Sequence, residues 1–356
     1  MFIVQSVVQL SRFACRASMV ALALSSALPD ARAATIEMVT IGNPGNAPDT
    51  RYVAAGIGSV DHVYQIGKYE VTAGQYTEFL NAVAQADPNF LYNTNMAVLA
   101  NKGANIVRTG SSPNFSYSVD ADWADRPVNI VSFWDAVRFA NWLHNGQPTG
   151  AQGPGTTEGG AYHHVGNDAQ FGRNPGARFF IPNANEWYKA AFHDKTAGLA
   201  ASYFDYPTRS NTAPGNDVTE ATNPGNNANH ERVSPQGDPY YRTVVGEYEL
   251  SASPYGTFDQ AGNVKEWSET DIPFPFGSTR ELRGGSFYDG FLLNSATLRA
   301  SDRSFDFPTN HFNNVGFRVA GVASVAIPEP ATCVFAAASF VGWFARPRRR
   351  RGGTNC

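Results

Sequence analysis

The stretch spanning residues 258–287 constrains the fold of this chain more than any other. It opens Phe258-Asp259-Gln260-Ala261-Gly262-Asn263-Val264-Lys265-Glu266-Trp267 and ends Leu282-Arg283-Gly284-Gly285-Ser286-Phe287. Asp259 and Glu266 lie seven apart, with Gly262-Asn263 between them. Gly262 takes positive φ freely and Asn263 tolerates it. A chain that turns there brings its own carbonyls beside two carboxylates, and a hard cation such as Ca²⁺ takes oxygens of both kinds. The spacing is not that of an EF-hand loop. From spacing alone two readings stand: a hairpin turn with two solvated acids, or a cradle for a cation.

The cysteines narrow the chemistry. There are three, Cys15, Cys333 and Cys356, all near the ends. The span between Cys15 and Cys333 therefore has no disulfide, no thiolate metal site and no cysteine nucleophile. Gly 33 and Pro 22 point to many turns, and 13% aromatics suit a core of large side chains held between loops.

The ends read as addresses. Arg12 and Arg16 precede a mostly apolar run at residues 17–28, then Ala31-Arg32-Ala33. That is the order of a secretory signal, residues 1–33, with a buried first helix as the rival. Near the other end, Ile327-Pro328-Glu329-Pro330 precedes the apolar run 333–344 and then Arg346, Arg348, Arg349, Arg350 and Arg351. A helix that short falls below the roughly 30 Å hydrocarbon core. Nineteen of 27 basic and 30 of 31 acidic residues lie in residues 34–330, which leaves that span at −11. Such a charge disfavours nucleic acid and suits bound cations.

Three helices announce themselves. Thr72 with Gln75 forms a capping box, and Tyr76, Phe79, Leu80 and Val83 make a buried stripe ending near Ala84. Ser132 caps a second helix with Asp135 at N3, and Phe133, Ala136, Val137, Ala140 and Leu143 line its inner face. Asn183 caps a third with Glu186 at N3; Trp187, Ala190 and Ala191 face inward. Residues 35–41, 63–67 and 128–131 read as short strands. Residues 87–125 show no period and read as loops, as does the Gly-rich 146–176 with His163-His164.

These motifs together resemble the formylglycine-generating enzyme (sulfatase-modifying factor) family. AGNVKEW, LRGGSF and VGFRVA at residues 315–320 match its C-terminal half, with Lys265 and Phe287 standing where the family has Trp. YEVTAGQYTEFLNAV, RPVNIVSFWDAV and RFFIPNANEWYKAA match further upstream. The resemblance implies an α+β fold: one compact loop-rich domain over residues 34–321, of the formylglycine-generating type and related to the C-type-lectin fold. It implies structural calcium on Asp259 and Glu266 through side chains and on Gly262 and Val264 through carbonyls. A second site would draw on Asn229, His230, Asp238 and Tyr240. The namesake enzyme oxidises a sulfatase cysteine to formylglycine with O₂ and copper held by two cysteines, three and eight positions after the serine of RGGS. Here those positions are Asp289 and Asn294, which do not suit Cu(I), so no copper is expected. The segment 327–351 resembles a PEP-CTERM sorting tail, which implies an exosortase-type processing enzyme, transient membrane contact through the tail, and export to the envelope or beyond.

Three functions are compatible with this reading. One is a non-catalytic binding or structural module for a peptide or glycan, which the missing thiols favour. Another is an enzyme of a different kind near Ser286, although Gly284-Gly285 more simply allows close backbone packing. The last is formylglycine formation itself.

Overall fold

The computed structural model describes residues 33–231, 238–289 and 294–323. The signal at 1–33, except Ala33, and the tail at 327–351 lie outside the described residues. In chain order the strands are β1 (Met38–Ile41), β2 (Tyr64–Gly67), β3 (Ile106–Thr109), β4 (Ser116–Val119), β5 (Tyr162–His163), β6 (Gly172–Arg173), β7 (Phe179–Phe180), β8 (Lys265–Phe274), β9 (Gly277–Arg283), β10 (Ser304–Asp306), β11 (Val315–Gly316) and β12 (Ala320–Val322). The α-helices are α1 (Ala73–Val83), α2 (Ala121–Ala124), α3 (Phe133–His144) and α4 (Ala184–Phe192).

Local chemistry sets the helices. Each of α1, α3 and α4 starts at a complete capping box, on Thr72, Ser132 and Asn183, so two orphan amides are satisfied at every start. The apolar stripe of α1 is buried as its period requires. Helix α3 is buried from Phe133 to Leu143 on every side, including Trp134 and Trp142. Tyr76 and Phe79 of α1 meet Phe139 and Trp142 of α3, with Phe79 lying 5.3 Å from each of those two rings. Phe317 closes the cluster at 5.4 Å from Phe139.

Two small sheets carry the rest. One runs β1-β2-β12-β7, antiparallel throughout. The other runs β10-β9-β8-β11, with β11 parallel to β8. The expected strand at 128–131 does not form. The Val128 amide is taken by the Val71 carbonyl, the Ile130 amide by that of Phe312, and Ile130 turns to φ 59, so no ladder continues. Residues 87–125, read as loops, contain the β3–β4 hairpin as well as short helices. Residues 146–176, also read as loop, contain the paired two-residue strands β5 and β6; His163 lies in β5 with His164 next to it, and both are exposed.

Candidate functional site

The organising stretch folds as a tight turn into β8. Asp259, Gly262 and Asn263 all have positive φ, at 61°, 85° and 54°. Gly262 has no alternative: a Cβ there would lie 2.1 Å from the carbonyl oxygen of Asn229. That close approach lets the Asn263 amide donate to the same carbonyl at 2.9 Å. Asn263 then ties four segments, three through its side chain and the fourth through its backbone carbonyl. Its Oδ1 accepts from Asn229 Nδ2 at 3.1 Å and from the Thr243 amide at 3.0 Å, its Nδ2 donates to Glu70 Oε2 at 3.3 Å, and its carbonyl accepts from the Phe287 amide at 2.9 Å.

Glu266 enters the interior with both oxygens engaged. Arg318 donates Nε to Oε2 and Nη2 to Oε1, each at 2.6 Å, and Trp187 donates Nε1 to Oε2 at 2.6 Å. Both partners of the Arg–Glu pair are fully buried. The remaining Arg318 donors reach the carbonyls of Gly67 and Phe258, each at 2.9 Å. A third carboxylate, Glu70, arrives from far upstream and accepts the Val264 amide at 3.1 Å. Burial pushes the Glu70 carboxyl well up, and the charges of Asp259 and Glu266 push it further. Burial likewise pushes Asp259 up to about 6, against the Gly246 amide, which donates to its Oδ2 at 2.6 Å, and against Arg318.

This cluster fits a divalent cation. Three carboxylates share one guanidinium, so full ionisation leaves an excess of two negative charges in a desolvated place. Among the described residues, no donor meets the carbonyl of Gly262 or Val264. No three His, Cys, Asp or Glu side chains converge on a point among the described residues, so an ion here depends on those carbonyls. Of the four expected ligands, Asp259, Gly262 and Val264 keep oxygens for a cation, while those of Glu266 are largely committed to Arg318 and Trp187. Glu70 was not legible as a member.

The second expected set is split. Asn229 is buried, and its Oδ1 has no hydrogen-bond donor among the described residues. His230 is buried beside it, with Nε2 at 3.3 Å from the Pro214 carbonyl. The Tyr240 hydroxyl turns away to Asp122, and it is the carbonyl of Tyr241 that meets Asn229 Nδ2, at 2.9 Å. Asp238 is exposed.

Neighbours on a strand point to opposite faces, so Lys265 leaves β8 on the other side from Glu266. Its Nζ pairs with Asp289 Oδ2 at 3.1 Å. Burial pushes Asp302 nearby upward, with Lys265 opposing and Asp289 adding to it. Ser286 is fully buried, and its Oγ accepts from the Tyr288 amide and from Asn314 Nδ2, each at 3.2 Å. Among the described residues, no base hydrogen-bonds to that hydroxyl. Gly285, at φ 65°, has Leu298 Cδ2 2.6 Å from where a Cβ would sit, as close packing requires.

The family model for the "Sulfatase-modifying factor enzyme 1-like domain" matches residues 35–323. The chain belongs to this family. Its fold is accordingly the α+β, loop-rich, single-domain formylglycine-generating type, related to the C-type-lectin fold. No curated protein matches the chain. Among solved structures it is similar to CarF, at 20% identity and TM-score 0.48 over 81% of this chain and 98% of that one. It is also similar to Treponema denticola variable protein 1, at 20% and 0.46 over 80% and 94%. PvdO from Pseudomonas aeruginosa follows at 17% and 0.40 over 81% and 92%. Against the family's copper chemistry the residues do not fit. Asp289 occupies the first thiolate position as half of an ion pair, and Asn294, the first residue of a 3₁₀ turn at Asn294–Leu298, occupies the second.

Proposed function

We propose that this chain is an exported, surface-associated family member that serves as a binding or structural module and forms no formylglycine. The observation that carries this reading is the Lys265–Asp289 ion pair on the face where the family's thiolates fall, in a span without cysteine. Cu(I) selects soft thiolate ligands, and an ammonium bound to a carboxylate offers none. The rival, another enzyme using Ser286, is weakened by that hydroxyl's bonds to an amide and an asparagine rather than to a base. The ligand is a peptide or glycan on this face, and nucleic acid is disfavoured by the −11 charge of residues 34–330.

Calcium in this reading is structural. Asp259, Gly262 and Val264 would hold it, with Glu70 and Glu266 supplying negative charge around it. Its chemistry is charge neutralisation of a buried acidic cluster, which fixes the turn into β8. The signal and the sorting tail place the mature protein at the envelope after cleavage by an exosortase-type enzyme, with transient membrane contact through the tail. Intact mass of the protein from its native envelope tests this; it should lack residues 1–33 and most of the chain after Pro330.

The decisive assay is mass spectrometry of a cysteine-containing sulfatase peptide after incubation with copper-loaded protein. The expected result is no aldehyde product. Turnover that survives Asp289→Ala and Asn294→Ala would overturn the reading.

A further inference from the structure

The tip of the β8–β9 hairpin carries a feature that neither the Lys265 face nor the cation cluster uses. Residues 272–279, Ile-Pro-Phe-Pro-Phe-Gly-Ser-Thr, hold no charge. Phe276 is 84% exposed, and Phe274, Phe305 and Phe307 are 39%, 44% and 37% exposed. They form one cluster, with the Phe274 ring 5.9 Å from Phe276, 5.7 Å from Phe305 and 6.3 Å from Phe307. Single exposed apolar side chains need no explanation, but a contiguous group marks an interaction site.

We propose that this tip inserts into a lipid surface. The cluster is a projecting knob on a hairpin end rather than a groove, so it enters its partner instead of receiving it. Its backbone is poor in donors. Pro273 and Pro275 have no N–H, and Ile272 lies opposite Thr279, Pro273 opposite Ser278 and Phe274 opposite Gly277, which leaves the Phe276 amide as the turn's one N–H outside that register. Thr279 Oγ1 donates back to the Ile272 carbonyl at 2.6 Å. Unpaired backbone groups are costly in lipid, whereas a protein partner would supply bonds to them. The charges begin at the base, where Arg280 pairs with Asp271 at 3.4 Å and with Asp168 at 2.9 Å. From that collar, residues 272–275 extend about 13 Å at roughly 3.3 Å per residue. Interfacial anchors reach a similar depth, about 5–10 Å. Pairing with a second copy through the β10 edge is disfavoured, because that strand is three residues long, is preceded by Asp302 and Arg303 and ends in Asp306. The tip itself carries no charge, so its insertion does not depend on anionic lipid.

The test uses the full chain with phosphatidylcholine vesicles. In Phe276→Trp, the emission difference from the parent chain should shift to the blue on vesicles and be quenched by acyl-brominated lipid, equally at low and high salt. The parent cancels the contribution of the other tryptophans and of the terminal apolar run. Phe276→Ser, at a position too exposed to disturb folding, should partition roughly tenfold less. No shift in Phe276→Trp, or unchanged partition of Phe276→Ser, overturns the proposal. So does a concentration-dependent dimer in ultracentrifugation that Phe276→Ser abolishes while vesicles change nothing.

Discussion

Lys265 and Glu266 are adjacent on β8 and face opposite ways, and the two faces differ in burial. On the Glu266 side, Arg318, Trp187, Glu70 and the Gly262-Asn263 turn form a buried network in which both Glu266 oxygens are bound, while the carbonyls of Gly262 and Val264 meet no donor among the described residues. On the Lys265 side stands the Lys265–Asp289 ion pair, at positions for which the resemblance to the family implies a Trp and a thiolate. The contrast teaches which part of this fold is scaffold. One face carries a partly exposed ion pair, while the network directly behind it is buried. A fold hosts function in a site grafted onto it, and loss of the site leaves the host standing.

The largest effect should come from breaking the buried side. Arg318→Met leaves Glu266 buried with only Trp187 as partner, takes from Asp259 the guanidinium beside it, and leaves Glu70 with the buried Arg242 alone. Removing one member of a buried pair costs about 3–5 kcal/mol. The urea midpoint should fall accordingly, with an unchanged slope. A loss under about 1 kcal/mol would make this face no more critical than an exposed pair, and the contrast would fail.

Calcium sharpens the same side. Burial moves the Asp259 carboxyl from 3.8 to about 6 in the folded chain. A raised carboxyl contributes stability that is present below 3.8 and lost as pH rises through 6, so the ion-free fold weakens across that window. Calcium binds the ionised form and offsets the loss, by about 2.7 kcal/mol at a hundredfold excess over Kd. Melting temperatures with calcium and with chelator should therefore diverge at pH 7.5 and converge near pH 4.5. Asp259→Asn should remove most of the divergence. A calcium response equal at both pH values, or intact in Asp259→Asn, would place the ion elsewhere.

How much of this was legible follows the range of the interactions. The starts of α1, α3 and α4 were legible because a capping box is written within four residues. The Gly262-Asn263 turn was legible for the same reason. Glu70 was not, since its bonds to Asn263 and Val264 span 193 and 194 residues. Arg318 stood in a recognised motif, yet nothing local named Glu266 as its partner. The β3–β4 hairpin was missed because its strands are four residues each, too short for alternation to stand out. The exposed phenylalanines gave no signal, because a sequence does not say which face of a hairpin meets solvent.

The smallest expected effect belongs to the Lys265 face. The Lys265 and Asp289 side chains are 17% and 12% exposed, and neither is locked by the hydrogen-bond network that holds Glu266. A double-mutant cycle with Lys265→Met and Asp289→Asn should give a coupling of about 0.2–1 kcal/mol, the range of an ordinary ion pair near the surface. Calcium response should be unchanged in both variants, because the backbone of β8 separates them from Asp259. A coupling well above that range would mean the pair has become scaffold in its own right. A calcium response altered by Asp289→Asn would mean that the two faces communicate through β8. Ligand binding, by contrast, should respond to Asp289→Asn even where stability barely moves, because the ion pair lies on the face proposed to meet the ligand.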